Sequence, residues 1–421
     1  MKAVHLGREA ALIYVAAFLR SSTVGFVGVV LAIYLSEVGL TATAIGLVIG
    51  SGLAGGAVAT LLVGLRGDVI GRRRTLIALA VVTGAGYLGL TTAARAAALI
   101  PLAFLGMLNG MGRDRGATSA LEQAILPETA GPMHRTWVLA WYNLVLDGGH
   151  AIGALAGAVP TIFMRMLHVD GSAAHRITFA LCALAMAISV VPYAALPREI
   201  EIPHRSQQRA ATARLDPRTR RVVTRLALLF GLDSIGGGFL NSALIAYWFF
   251  RRYGTSESQL ALLLFAARAL NAGSHVAAAW MARRIGLINT MVLTHLPSSI
   301  FLMIAPAAPT ATIAGALFLA REALVEMDVP TRQSYVMAMV GPTERTFASS
   351  VTNVTRNTAW AIGPSLAGFV MQRVALAGPL VIGSAVKIAY DLMLYFSFRP
   401  LRPPEEQRPR SDHQEDFDAG A

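Results

Sequence analysis

Gly131-Pro132-Met133-His134-Arg135-Thr136 returns as Gly341-Pro342-Thr343-Glu344-Arg345-Thr346, 210 residues further along the chain. The register holds on both sides of that word: Gln123 matches Gln333, Asn143 matches Asn353, and Ala151-Ile152-Gly153 matches Ala361-Ile362-Gly363. Short apolar words coincide by chance. A single offset holding across a polar loop and the two apolar runs beside it points instead to duplication, with two halves built in parallel.

Those runs have the length of membrane spans. A helix rises about 1.5 Å per residue, so about 20 apolar residues cross a hydrocarbon core about 30 Å thick. By that rule spans fall near 10–35, 43–65, 75–94, 97–126, 135–162 and 174–196, then near 223–250, 257–281, 287–307, 309–337, 345–371 and 375–398. Composition agrees, with 55% hydrophobic residues, only 14% charged and 39 glycines, which permit close helix packing in lipid. The expected fold is all-α and integral to the membrane, with twelve transmembrane helices in two pseudo-symmetric six-helix bundles. The domains read as a first bundle over 1–197, a basic linker over 198–222, a second bundle over 223–398 and a disordered tail over 399–421, rich in Pro and acids. The first apolar run is too long for the core of a secretory signal and reads as a span.

The net charge of +12 would suggest nucleic acid in a soluble chain. Here the placement of charge excludes it. Loops on the side of the two termini hold 22 of the 36 basic residues, including Arg66, Arg72, Arg73, Arg74 and eight arginines between Arg198 and Arg225; opposite loops hold six. The positive-inside rule therefore expects both termini in the cytoplasm, and the reading is a multi-pass protein of a bacterial inner membrane. Cys182 is the only cysteine and the nine histidines are scattered, so no metal site, cofactor or nucleophilic enzyme is expected. No phosphate-binding loop of the G-x-x-x-x-G-K-[ST] type occurs, which excludes that route to ATP-driven work.

Between the second and third runs lies Gly64-Leu65-Arg66-Gly67-Asp68-Val69-Ile70-Gly71-Arg72-Arg73-Arg74. With the duplicated halves, this word resembles the major facilitator superfamily, over essentially the whole chain. It matches the family's G-x-x-x-D-[RK]-x-G-[RK]-[RK] loop except at Val69. A decayed second copy, Ala282-Arg283-Arg284-Ile285-Gly286, has Arg283 in place of the acid. The resemblance implies a transporter working by alternating access, in which spans 1, 4, 7 and 10 line the pathway and 3, 6, 9 and 12 pack outside. It further implies a gating role for Gly64, Asp68, Gly71, Arg72 and Arg73. Physically, Gly71 permits a tight turn, the arginines meet anionic headgroups, and Asp68 can face a helix N-terminus.

Beyond the first three residues of each span, sixteen charges fall inside spans, eight of each sign. Each costs about 2.5–3.5 kcal/mol at a helix centre unless it faces a cavity or a partner. Arg20, Arg113, Arg115, Arg268, Arg321, Glu322 and Arg356 are the candidate substrate-cavity residues, because a guanidinium fork suits oxyanions. Asp114, Asp328 and Arg332 are candidate gating charges, and salt bridges between halves are the competing reading for the whole set. Lys387 and Asp391, four residues apart, read as a local pair. Asp147 and Asp233, with no base within a turn on their own spans, and Glu326 are candidate proton carriers. His150 reads as a buried neutral ring, and Gly149, Gly153 and Gly157 as a stripe for close helix contact. Gly363-Pro364-Ser365-Leu366-Ala367-Gly368 loosely resembles the family's antiporter word, though in span 11 rather than span 5. Tyr247 and Trp248 read as an interface anchor.

Together these features point to a monomeric secondary transporter moving a small polar or anionic solute through the lipid bilayer by proton-coupled efflux. The alternatives are multidrug efflux, import of a metabolite or chelate, and a transporter-like receptor that moves nothing.

Overall fold

The computed structural model describes residues 7–93, 95–114, 116–130, 135–200, 217–329, 331–332, 335 and 345–398. Arg115, Pro330, both copies of the Gly-Pro loop word, most of the basic linker and the tail lie outside the described residues, as do the side chains of Asp68, Arg283 and Asn353.

The spans form as the apolar runs dictate. In the first half they are α1 (Arg8–Glu37), α2 (Ala42–Ile70), α3 (Arg72–Leu90), α4 with α5 (Ala96–Gly106 and Ala117–Ala130), α6 with α7 (Arg135–Ala156 and Val159–Leu167) and α8 (Gly171–Ala194). In the second half they are α9 with α10 (Pro217–Phe239 and Ser242–Tyr253), α11 (Glu257–Ile285), α12 (Leu287–Ile304), a tenth span beginning with α13 (Ala311–Val325), α14 (Arg345–Arg373) and α15 (Gly378–Phe398). Large apolar side chains such as Leu65, Val191, Val374 and Phe396 are 67–74% exposed, as lipid-facing residues should be.

The duplication is visible in the backbone. Gly71, between α2 and α3, has φ 105°, and Gly286, between α11 and α12, has φ 85°. Each amide donates to a carbonyl four residues back, Gly67 and Ala282 respectively. The turn therefore survives in the second copy although its acid does not, because only a residue without Cβ adopts this φ without strain. Thr41 caps α2, and Ser256 opens α11 with a capping box completed by Gln259. These equivalences run at 215 residues, whereas Arg135 and Arg345 open equivalent helices at 210. The first half thus carries five extra residues within its fourth span.

We call the end of the bundle bearing residues 38–41 the distal face and the end bearing Arg8 and Phe398 the proximal face. The halves meet tightly at the distal face. A Cβ on Gly46 would lie 2.9 Å from Gly368 Cα, the Thr43 amide donates to Gln372 Oε1 at 3.0 Å, and Ser365 Oγ reaches the Gly46 carbonyl at 3.5 Å. Toward the proximal face α2 and α14 part, leaving a gap between Ala57, Thr60 and Leu61 on one side and Val354, Asn357 and Thr358 on the other. The molecule is closed distally.

Within the first half, α6 lies on α1 through the expected glycine stripe: Gly149 faces Ser21, Gly153 the Ser22 carbonyl and Gly157 the Val29 side chain. Trp248, by contrast, is 1% exposed and packs edge-on against Phe249 and Tyr253. It is a core residue rather than an interface anchor, because α10 runs along α1 between the halves instead of along lipid.

Candidate functional site

The fourth span is broken where its charges lie. After α4, Met107 (φ 53°) and Gly112 (φ 66°) are left-handed, and helix resumes only at Ala117. Asn109-Gly110-Met111-Gly112 explains the break: two glycines tolerate the geometry, and the Asn109 amide folds the strand on itself. Its Oδ1 accepts from the Met111 amide at 2.9 Å while its Nδ2 donates to the Arg113 carbonyl at 2.6 Å. The five extra residues of this half coincide with the unwound stretch. Exposed backbone inside a membrane must find partners, and here they come from the other half. The Ala243 amide donates to the Gly110 carbonyl at 3.2 Å and Ser242 Oγ to the Met111 carbonyl at 2.8 Å. Span 7 is itself interrupted before this point, and Asn241 caps α10. Arg113 and Asp114 therefore stand on irregular backbone, not on the continuous helix expected from span length.

This stretch borders a central cavity of about 170 Å³ lined from both halves, by Arg20, Arg113, Asp114, Arg268, Arg321, Glu322, Glu326, Asp328, Arg332, Arg356 and Lys387 among others. Behind its wall on one side, Arg20 is wholly committed. It pairs with Asp114 and holds Glu122 through two parallel bonds of 2.9 and 2.6 Å, while the hydroxyls of Tyr142 and Tyr193 donate to the same carboxylate at 2.7 and 2.6 Å. Asp114 extends the network through its amide, which donates to His150 Nε2 at 2.9 Å. That ring nitrogen must be unprotonated to accept, in line with the expected neutral ring.

The second half holds a matching network. Asp233 sits between Lys387 Nζ at 2.6 Å and Arg332 at 3.2 Å, and Arg332 also binds Asp328 at 2.8 Å. His295 on α12 takes Asp391 at 2.8 Å and lies 3.3 Å from Lys387 Nζ. The expected Lys387–Asp391 pair is thus replaced: each residue of α15 finds its partner on another helix, because the four-residue spacing brings them near one another while larger Coulomb gains lie across the bundle. Span 12 accordingly contributes charge to the interior and span 9 a histidine, against the expectation that they only pack outside. Asp233 has no base nearby along its own span, but it has two from others.

Between the networks stands a contact that crosses from one half to the other. Arg113 pairs with Glu326 and lies 3.9 Å from Glu322, so one half is tied to the other inside the cavity. Glu322 is shared: Arg321 binds it, and Asn271 Nδ2 donates to it at 2.7 Å. Arg268 donates to Ser242 Oγ at 3.0 Å, and Arg356 donates to Ser234 Oγ at 3.4 Å while lying 4.7 Å above the Trp360 ring. Asp147 lies outside the cavity lining, half-buried on α6.

At the proximal turn, Gly64 faces open space, Arg74 is exposed and Arg72 is buried. Arg72 donates to the Ile200 carbonyl at 3.4 Å and Arg73 to the Leu196 carbonyl at 3.3 Å, which anchors this loop to the end of the sixth span. Glu122, Tyr142, Tyr193 and His295 are the contributors that sequence reasoning passed over as site residues. The eight-residue step from Asp114 to Glu122 was the available signal for the first of them.

A profile of the Major Facilitator Superfamily matches residues 13–325 and 226–419, and the chain belongs to that family of transporters. An uncharacterized membrane protein of Saccharomyces cerevisiae is 24% identical, over 93% of this chain and 94% of its own. Among solved structures, the nucleoside transporter NupG superposes with TM-score 0.70 at 15% identity, covering 94% of this chain and 99% of its own. The xylose transporter XylE from E. coli gives 0.71 at 14% identity, over 95% and 99%. The human organic anion transporter MFSD10 gives 0.60 at 17% identity, over 92% and 99%. These likenesses show the twelve-span fold, and membership of the family makes the chain a transporter.

Proposed function

We propose that the chain exports a small polar solute, a zwitterion held by its anionic and its ammonium groups, across a bacterial inner membrane in exchange for protons, with both termini in the cytoplasm. The observation that carries this reading is Arg113 of one half held by Glu326 and Glu322 of the other inside the cavity. A zwitterion can replace that pair group by group, its oxyanion taking Arg113 and Arg321, its ammonium taking the glutamates. Once the solute bridges the two halves, each charge keeps a partner while the cavity changes sides.

Exchange follows from competition. A proton and an ammonium group neutralise the same carboxylate, so Glu326 carries one or the other but not both. A proton arriving from the acidic side displaces the cationic end of the solute, and the protonated, solute-free carrier returns. A purely anionic solute would instead bind best when Glu326 is protonated and would move with the proton, not against it.

The test is a thermal-shift screen of the purified protein against amino acids, organic anions, oxyanions and lipophilic cations. Zwitterions should stabilise it, and Arg113→Ala should abolish the shift while leaving the unliganded melting point within a few degrees. Stabilisation by lipophilic cations alone, untouched by Arg113→Ala, would show that the arginines only join the halves and that the substrate class is wrong.

A further inference from the structure

A second charged cluster joins the halves, far from the cavity, at the distal face. His175 is the fifth residue of α8, with its side chain 1% exposed. Its Nδ1 is 2.7 Å from the Gly171 carbonyl and 3.2 Å from Glu37 Oε2, and its Nε2 is 2.5 Å from Glu257 Oε1. Glu37 ends α1 in the same half; Glu257 begins α11 in the other. Thr161 of α7 adds a hydroxyl at 3.4 Å from Glu257 Oε2, and the ring of Tyr34 lies 5.6 Å from the imidazole with its hydroxyl turned to the Leu90 carbonyl.

Among the described residues, every polar group facing either ring nitrogen is an acceptor. A neutral imidazole has one N–H and one lone pair, so it would set a lone pair against a carboxylate or a carbonyl. With both carboxylates ionised, only the imidazolium, with two N–H groups, satisfies this geometry. The three side chains also bring ligand atoms within 4.8 Å of one another, as a metal site would. Yet both nitrogens are already in hydrogen-bond range of oxygen, on opposite edges of the ring, which suits two protons rather than one metal.

We infer that His175 is a proton-operated latch of the distal gate, an imidazolium clamped between Glu37 of one half and Glu257 of the other. Losing its proton removes the cation that lies between the two carboxylates, leaves Glu257 facing a lone pair, and favours separation of α11 from α8 and α1. Acid at the distal face therefore holds this gate shut and alkali releases it. The inference rests on the alternating-access reading but not on any substrate, and the test below is made without one.

Spin labels placed at Thr92→Cys and Thr312→Cys, both exposed at the distal ends of opposite halves, report the gate in a Cys182→Ala background reconstituted in lipid nanodiscs. Distances are measured by double electron–electron resonance at pH 6 and pH 10.5. With His175 present, a single shorter distance at pH 6 should give way to a growing longer population at pH 10.5. His175→Gln should show the longer population at both pH values, and His175→Lys, a retained cation, the shorter one at both. Glu257→Gln provides a second, milder break and should also lengthen the distance at pH 6. Distributions for His175→Gln that match the parent at both pH values would overturn the latch. A longer population absent from every variant at every pH would overturn it too, and alternating access with it.

Discussion

Arg20→Met tests whether the buried network of the first half is held by charge. The substitution keeps an unbranched side chain of similar length and strands Asp114 and Glu122, whose side chains are 6% and 0% exposed. Removing one partner of a buried ion pair costs about 3–5 kcal/mol. Asp114 can limit that cost by taking up a proton, which from a reference value near 4 requires about 4 kcal/mol at pH 7 and only about 1 kcal/mol at pH 5. The expected loss is therefore about 4 kcal/mol at pH 7. With about 2–4 °C per kcal/mol for a unit of this size, the melting point should fall by roughly 8–16 °C. The sign of the pH effect follows from the same step. The folded variant binds a proton at pH 7 that its unfolded chain does not, so its stability relative to the parent rises as pH falls. Melts followed by tryptophan fluorescence in micelles at pH 7 and pH 5 should show the deficit shrinking several-fold on acidification. A fall below 3 °C at pH 7, or a deficit as large at pH 5, would refute the argument.

Asp233→Asn and Lys387→Met should each destabilise the second half by about 3 kcal/mol, while the double variant should lose at least 1 kcal/mol less than the two together, as a double-mutant cycle on melting would read. Gly46→Val places a side chain against the Pro364 carbonyl and Gly368, so distal closure should fail and the distance between the distal spin labels lengthen; an unchanged distance would contradict the packing. Gly112→Ala must adopt φ 66° beside Arg268, and a cost of about 1 kcal/mol in stability with weaker ligand-induced stabilisation is expected; equal melting and equal ligand shifts would count against the unwound stretch as a rigid part of the cavity. Glu326→Gln should flatten the pH dependence of solute flux, whereas a profile that keeps its shape would move proton carriage elsewhere.

The twelve spans were legible because each is a long apolar run, and the halves because a polar loop word repeats in register. The turn at Gly71 was legible for a local reason, since its φ is one that glycine permits. What escaped was set by distance along the chain. Lys387 and Asp391 invite pairing at four residues, but their partners stand 154 and 96 residues away. No periodicity along α15 could reveal His295 or Asp233 facing it. The break in span 4 was within reach, since Asn109-Gly110-Met111-Gly112 signals a turn and the repeat offset changes from 215 to 210 around it. Counting apolar residues alone passes over both signals. His175 could not be singled out because Glu37 stands 138 residues away and Glu257 meets it only after the halves close.

Flux in proteoliposomes tests the central claim most directly, using a solute that stabilises the purified protein and an imposed pH gradient. The account predicts that the gradient drives the solute against its own concentration difference, that protons move the opposite way, and that Arg113→Ala stops both. Binding of the solute without movement under any gradient would contradict it, and would make the chain a receptor built on a transporter's fold.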